Sequence, residues 1–266
     1  MNSAIIIPAR YGSTRFPGKP LANIAGKTML ERVVDIARSA VDQIGYVRII
    51  VATEDERIFK HAQKLEVTAM MTSDDCTTGS DRVLEAAQKL SEDVEFVFGL
   101  QGDAPFTPVE ALVKMSEAVE NNQDIEVVTP IVPLRWDELA TLRKNKEQTP
   151  FSGTTVTTNK EGRALWFSKN IIPAIRKEDD LKAEEFSPVY QHIGLYGYKI
   201  QTLEKFVSLP QGHYEKLEGL EQLRLLENDI PIHTVKIEME NGLMQSGIDS
   251  PEDVERAEEV IKKYNL

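Results

Sequence analysis

From Pro8 to Pro20 the chain reads Pro-Ala-Arg-Tyr-Gly-Ser-Thr-Arg-Phe-Pro-Gly-Lys-Pro, a segment built for contact with phosphate. Arg10, Arg15 and Lys19 bring three cations into ten residues, and Ser13 and Thr14 add hydroxyl donors. Gly12 and Gly18 let backbone approach a ligand closely, while Pro17 and Pro20 limit the loop's freedom. Such a loop suits a triphosphate whose departing pyrophosphate must be neutralised. The same residues also read as a solvated basic turn. The order G-x-x-x-x-G-K-[ST] of the Walker loop is absent, as is G-x-G-x-x-G. Further on, Gln101-Gly102-Asp103 closes an apolar run. A carboxylate there, after a glycine that clears space, is where a magnesium ligand beside phosphates is expected. Two other segments carry polar groups at helix starts, Thr78-Gly79-Ser80-Asp81-Arg82 and Ser246-Gly247-Ile248-Asp249-Ser250-Pro251. Thr78, Ser80 and Ser250 read locally as capping residues.

The basic loop stands out against the rest of the chain. The 266 residues carry 31 Lys plus Arg against 43 Asp plus Glu, a formal net charge of -12. That field repels nucleic acid, so an anionic ligand must be met by a local cluster of cations. One cysteine, Cys76, excludes a disulfide framework and a cysteine-cluster metal site. The apolar runs are too short to span a bilayer and the N-terminus lacks a signal-peptide pattern, so a cytoplasmic protein without membrane insertion is expected.

The elements that must position these groups alternate in period. Ala4 to Pro8 reads as a buried strand, Met29 to Val41 as a helix, Tyr46 to Thr53 and Val67 to Met71 as strands, with a helix from near Asp55 between them. Gly79 to Leu90 is helical and Glu95 to Leu100 is a strand. Strands separated by such helices imply parallel βαβ units, and an α/β fold. Beyond Val132 the rhythm loosens. Arg135 to Thr149 reads as a polar surface excursion, Thr154 to Phe167 as a hairpin turning at Asn159 to Gly162, and Arg176 to Glu185 as a second polar stretch. Tyr190 to Tyr198 reads as one strand, Leu217 to Asn228 as one helix, Ile232 to Ile237 as a strand and Ser250 to Tyr264 as a final helix.

In the order of these motifs the chain resembles the nucleotidyltransferases that make CMP-sugars, and above all the 3-deoxy-manno-octulosonate (Kdo) cytidylyltransferase family. The resemblance implies a Rossmann-like, glycosyltransferase-A-like fold with a mostly parallel central sheet and a smaller sugar-binding and dimerisation portion. It divides one domain into a CTP-binding part at about 1–132, a sugar-binding part at about 133–237, and a segment, 238–266, that returns to the metal site. It implies CTP contacts from Pro8, Ala9, Arg10, Ser13, Arg15, Lys19, Thr78, Ser80, Arg82 and Gln101. Lys19, Arg10 and Asp103 take the catalytic roles, with Asp103 and Asp249 holding Mg2+. Gln191-His192-Ile193-Gly194-Leu195-Tyr196 and Leu220-Glu221-Gln222-Leu223-Arg224 match the sugar motifs. With Gln101 and Lys169 they nominate His192, Tyr196, Glu221 and Gln222 as sugar contacts. Read without the resemblance, His192 is a core histidine and Glu221 with Arg224 a surface ion pair.

The implied reaction joins CTP and an ulosonic acid to give a CMP-sugar and pyrophosphate for lipopolysaccharide biosynthesis, catalysed by a homodimer. Ala104, Lys169, Gln191 and the Thr155-Val156-Thr157 strand depart from the family pattern. At Lys169 a bidentate guanidinium becomes a point-charge ammonium. These departures keep open an 8-amino-3,8-dideoxy-manno-octulosonate or another ulosonic acid as substrate, and a weakly active nucleotide-binding homologue as the non-enzyme alternative.

Overall fold

The computed structural model describes residues 2–12, 16–45, 47–90, 94–239, 247–248 and 250–264. In chain order the first elements are β1 (Ser3–Pro8), β2 (Asn23–Ile24), β3 (Lys27–Thr28), α1 (Met29–Ile44), β4 (Arg48–Thr53), α2 (Glu56–Lys64), β5 (Thr68–Met71), α3 (Gly79–Gln88), β6 (Phe96–Gly99) and α4 (Val109–Asn121). There follow β7 (Val127–Arg135), α5 (Trp136–Gln148), β8 (Thr154–Thr158), β9 (Ala164–Ser168), α6 (Glu178–Leu181), β10 (Phe186–His192) and β11 (Tyr196–Lys199). The chain ends with α7 (Ile200–Ser208), α8 (His213–Glu218), α9 (Leu223–Glu227), β12 (His233–Lys236) and α10 (Pro251–Tyr264).

Contacts divide the chain into two units. The first comprises Met1–Val113, Gly197–Val207 and Gly242–Leu266, and the second Lys114–Tyr196 and Ser208–Asn241. The sequence draws its first boundary near 132; the structure divides the chain after Val113 and brings 197–207 back to the first unit.

In the first unit the strand order is β5-β4-β1-β6-β11. β1 pairs in parallel with β4 and β6, and β4 with β5. Ile5, Ile6 and Ile7 are all fully buried, so β1 is covered on both faces and reads as a continuous apolar run. α1 buries Met29, Leu30, Val33, Val34 and Ala37 on one face, and its first turn is closed by a capping box between Thr28 and Glu31. Because the strands are parallel, the carboxyl ends of β1, β4 and β6 open on one edge, where α/β sheets bind ligands.

In the second unit β10 runs antiparallel to both β7 and β8, β8 antiparallel to β9, and β12 parallel to β7. The β8–β9 hairpin turns where expected. Asn159 Oδ1 accepts the N–H groups of Glu161 and Arg163 at 2.9 and 2.8 Å, and Gly162 takes φ 78. Three expectations need correction. The stretch from Arg135 is helix α5, whose Glu138 carboxylate accepts the Arg135 N–H at 2.7 Å; its polar sequence reflects a mostly exposed helix. The strand drawn from Tyr190 to Tyr198 is two strands, because Leu195 N–H turns back to the Ile193 carbonyl at 2.7 Å. The helix drawn from Leu217 to Asn228 breaks at Gly219, φ 63, leaving Glu221 and Gln222 in a turn between α8 and α9.

Candidate active site

The chain leaves β1 at Pro8, and Ala9 prolongs the ladder by donating to the Ala52 carbonyl at 2.9 Å. Arg10 is exposed. Tyr11 donates its N–H to Glu54 Oε1 at 2.8 Å, and its carbonyl accepts the Gly18 N–H at 2.9 Å, closing the loop. Gly18 has φ 72, and a Cβ there would approach the Tyr11 ring to 3.0 Å, so the position calls for glycine twice over. Lys19 then starts a single helical turn with Pro20, its side chain buried and its Nζ 2.6 Å from Asp103 Oδ2. Asp103 follows β6 by way of Gln101 and Gly102. Gly102 passes so close to β1 that a Cβ would lie 2.6 Å from the Pro8 carbonyl oxygen.

These strand ends enclose a cavity of about 240 Å³. Pro8, Ala9, Arg10, Lys19, Thr78, Arg82, Gln101 and Asp103 line it, together with Pro20, Cys76, Thr77, Gly79 and Gly102. The N-terminus of α3 faces it. Thr78 Oγ1 accepts the Asp81 N–H at 3.1 Å while Asp81 Oδ2 accepts the Thr78 N–H at 2.8 Å, so the capping reading and the cavity-lining reading of Thr78 hold together. Cys76 donates from Sγ to Glu85 Oε2 at 3.1 Å. Burial, with the Glu85 carboxylate beside it, pushes the thiol up to about 11, so it stays protonated and is no nucleophile at neutral pH.

The C-terminal segment comes back to Asp103. Ile248 donates its N–H to the Asp103 carbonyl at 3.0 Å, and a Cβ on Gly247 would lie 3.1 Å from that oxygen and 3.6 Å from Asp103 Oδ1. Asp249 is outside the described residues, as are Ser13 and Arg15. Among the described residues no group of three or more His, Cys, Asp or Glu side chains gathers as metal ligands.

In the second unit His192 sits at the end of β10 with its ring 5.0 Å from that of Phe167 and 5.3 Å from that of Tyr196. Its Nε2 is 2.9 Å from Thr129 Oγ1, and that hydroxyl lies 2.7 Å from the Leu195 carbonyl. The hydroxyl's single proton goes to the carbonyl, so His192 donates from Nε2 and keeps Nδ1 as an acceptor. Burial, reinforced by the Lys169 charge, lowers His192 to about 3 and keeps it neutral. Lys169 reaches Thr154 Oγ1 at 3.3 Å, and burial lowers its pKa against the opposing Glu218 carboxylate. Glu218 accepts the Lys169 N–H and the Ser168 hydroxyl, each at 2.8 Å.

Comparison with known proteins agrees with the geometry. The family model described as Cytidylyltransferase matches residues 4–237. A 3-deoxy-manno-octulosonate cytidylyltransferase of Maricaulis maris is 44% identical across 98% of this chain and 97% of its own. The enzyme of the same name from Bacteroides thetaiotaomicron is 38% identical, with 97% of each chain covered. The chain belongs to the 3-deoxy-manno-octulosonate cytidylyltransferase family. Its fold is that of a solved CMP:2-keto-3-deoxy-manno-octonic acid synthetase complexed with CTP, with a TM-score of 0.84 and 29% identity over 99% of this chain and all of the other. A 4-diphosphocytidyl-2C-methyl-D-erythritol synthase from Anaerococcus prevotii, 16% identical with a TM-score of 0.60, shares the fold.

Against that family pattern some of the nominated residues fall differently. Ser80 stands in the first turn of α3, two residues past Thr78. Arg82 lines the cavity, yet its guanidinium is engaged inside the protein, with Glu54 Oε2 at 3.0 Å and with the Thr72 hydroxyl. Glu221 stands 3.6 Å from Arg224, whose closer partner is Glu215 at 2.6 and 2.8 Å. Gln222 is buried at the start of α9. Thr155, in the strand that departs from the pattern, spends its hydroxyl on the Asn170 carbonyl at 2.7 Å and on the Ile172 N–H at 3.0 Å. It is therefore a tie between strand and loop.

Sequence reasoning passed over Lys146, Glu218, Thr129 and Glu54. Lys146 Nζ donates to the carbonyls of Ser152, Gly153 and Lys169 at 2.5, 3.0 and 2.6 Å, which fixes the backbone at Lys169. No side-chain pattern marks a lysine whose partners are backbone carbonyls, two of them just past its own helix and one at Lys169.

Proposed function

We propose that this nucleotidyltransferase activates 3-deoxy-manno-octulosonate with CTP, forming CMP-Kdo and pyrophosphate. One observation carries the reading: Lys19 and Asp103 stand 2.6 Å apart on the wall of a cavity built from the carboxyl ends of β1 and β6. A cation and a carboxylate side by side there give the two groups that nucleotidyl transfer needs, one for phosphate charge and one for a metal ion. The sugar's anomeric hydroxyl oxygen attacks the α-phosphorus of CTP and gives up its proton to water, the bond from that phosphorus to the bridging oxygen breaks, and pyrophosphate leaves. Such transfers depend on positioning and charge neutralisation more than on covalent participation by the protein. Lys19 and Arg10 neutralise phosphate charge as it grows and departs. Thr78 and the first N–H groups of α3 face the nucleotide from the other side of the cavity.

The donor chemistry fits magnesium. Asp103 offers hard carboxylate oxygen, and Gly247 leaves room beside Oδ1 that a side chain would fill. Asp103 and Asp249 would hold the ion together with phosphate oxygens, and the ion would supply Lewis-acid charge to those oxygens. In the second unit His192 presents Nδ1 as an acceptor for a sugar hydroxyl, with Gln222, Tyr196, Lys169 and Glu221 as further contacts. The family resemblance further supports a homodimer acting in the cytoplasm in lipopolysaccharide biosynthesis.

Lys169 favours a second reading for the sugar. Its ammonium is half-buried against Thr154 and has no planar fork to grip a carboxylate, so an ulosonic acid altered elsewhere, such as the 8-amino sugar, is a competing substrate. Pyrophosphate release with CTP and each of these sugars, with mass analysis of the product, tests both. Release with Kdo at an efficiency usual for enzymes, about 10⁴ M⁻¹s⁻¹ or better, supports the first reading. Release with the 8-amino sugar alone supports the second. No magnesium-dependent release with any ulosonic acid overturns both.

A further inference from the structure

Glu54 joins the phosphate loop to α3. The parallel register that sets Pro8 opposite Ala52 carries Glu54, just past the end of β4, alongside Tyr11. Its two carboxylate oxygens divide their work. Oε1 accepts the Tyr11 N–H at 2.8 Å, and Oε2 stands 3.0 Å from Arg82 Nη2. The Arg82 side chain is only 4% exposed. A guanidinium so enclosed must be matched by an anion, and Glu54 is the carboxylate that meets it.

Tyr11 in turn is the pin of the loop. Its carbonyl receives the Gly18 N–H, and Gly18 packs against its ring. The opposite influence on the ring is Arg57, 3.3 Å from the ring centre and held by both oxygens of Asp55 at 2.9 and 2.6 Å. Arg10 precedes Tyr11 and Lys19 follows Gly18, so whatever holds this pin sets the separation of the two described cations of the loop.

We propose that Glu54 is a positioning residue for the nucleotide: paired with Arg82, it fixes Tyr11 and thereby the places of Arg10 and Lys19, without touching the nucleotide itself. The inference rests on the reading of the cavity as a CTP site. It also gives Arg82 a different task from the direct nucleotide contact that the family motif implies. A misplacement of about 1 Å at a charge-matching group is enough to be felt strongly in binding and turnover.

The test is a double-mutant cycle, with Glu54→Gln, Arg82→Gln and the double variant, read by calorimetric binding of CTP and of cytidine. Glu54→Gln keeps an oxygen for Tyr11 and removes the charge opposite Arg82. The double variant removes both charges, so it escapes the instability of a buried unpaired guanidinium. Affinity for CTP should fall about tenfold in Glu54→Gln and no further in the double variant, because the two residues act as one unit. Affinity for cytidine, which has no phosphate, should stay within about twofold throughout. CTP affinity unchanged in Glu54→Gln, cytidine affinity falling in parallel with CTP, or losses that multiply in the double variant would each overturn the positioning role. Wild-type protein that binds neither ligand would overturn the CTP reading beneath it, an outcome distinct from all three.

Discussion

At Lys19 the charge that would meet a phosphate already has a partner. The Lys19–Asp103 pair is 2.6 Å long, with the lysine side chain 11% exposed and the carboxylate 37%. A cation held in place in this way is preorganised, which is worth most where charge grows in the transition state. Lys19→Ala should therefore lower kcat more than it raises KM for CTP; a change confined to KM would make Lys19 a uniform binder. Asp103→Asn should cost turnover by about two orders of magnitude or more with folding intact, since the side chain holds none of the core. Turnover like wild type under saturating magnesium would remove Asp103 from the proposed metal site.

His192 makes a different kind of prediction, about pH. Its pKa is about 3 in the folded chain and near 6.5 when unfolded. Between those values the unfolded chain binds a proton that the native one refuses, so stability falls as pH drops through this window and is unaffected above it. Urea denaturation at pH 7 and pH 5 should show a loss up to about 2 kcal/mol larger in wild type than in His192→Gln. Equal losses would mean that the ring is protonated in the folded state.

Among the elements, those whose pattern and caps agree were legible in the sequence. α1 has its apolar face at helical spacing and its Thr28–Glu31 box; α3 has Thr78 and Asp81. Thr78→Ala removes a hydroxyl that accepts the Asp81 N–H and should destabilise the protein by about 1 kcal/mol in chemical denaturation, a typical cap value. A change well below half of that would leave the carboxylate of Asp81 as the whole of the cap. The elements misread were those broken by tertiary bonds. The run from Tyr190 to Tyr198 holds only Gly194 and Gly197 as turn residues; the chain turns where Leu195 N–H meets the Ile193 carbonyl, and the Thr129 hydroxyl, from a strand more than sixty residues away, binds the Leu195 carbonyl. Gly219 was the visible mark of the break between α8 and α9, but helical spacing on either side concealed it. The candidate site followed the same division. Pro8, Ala9, Arg10 and Lys19, which the sequence nominates together, line one cavity because they flank a single short loop. Glu54 and Glu218 act through partners far off in sequence, where no spacing rule reaches.

At the scale of the molecule, the first unit is completed by the end of the chain. α10 lays Ala257 and Ile261 into a cluster with Ile24, Met29 and Ile248, and Phe16 and Phe106 pack against it. Glu258 Oε1 accepts the Ala25 N–H at 2.9 Å, tying α10 to the β2–β3 turn. Phe16 lies in the loop after β1 and Ile248 donates its N–H to the Asp103 carbonyl, so this cluster joins that loop, the backbone beside Asp103 and the C-terminal helix. Loosening it should be felt at the nucleotide. Ile261, 7% exposed, belongs to the cluster and is not among the residues that line the cavity. Ile261→Ala should cost about 2–4 kcal/mol of stability, the range for removing a buried aliphatic side chain. CTP at a hundred times its dissociation constant stabilises the folded state by about 2.7 kcal/mol, and thermal denaturation with and without CTP reads that stabilisation in wild type and variant alike. If α10 merely covers the unit, the variant binds CTP as tightly as wild type and the stabilisation by a fixed CTP concentration is unchanged. If the cluster sets the loop and Asp103, that stabilisation shrinks, and it is this second outcome that the shared contacts of Phe16 and Ile248 predict.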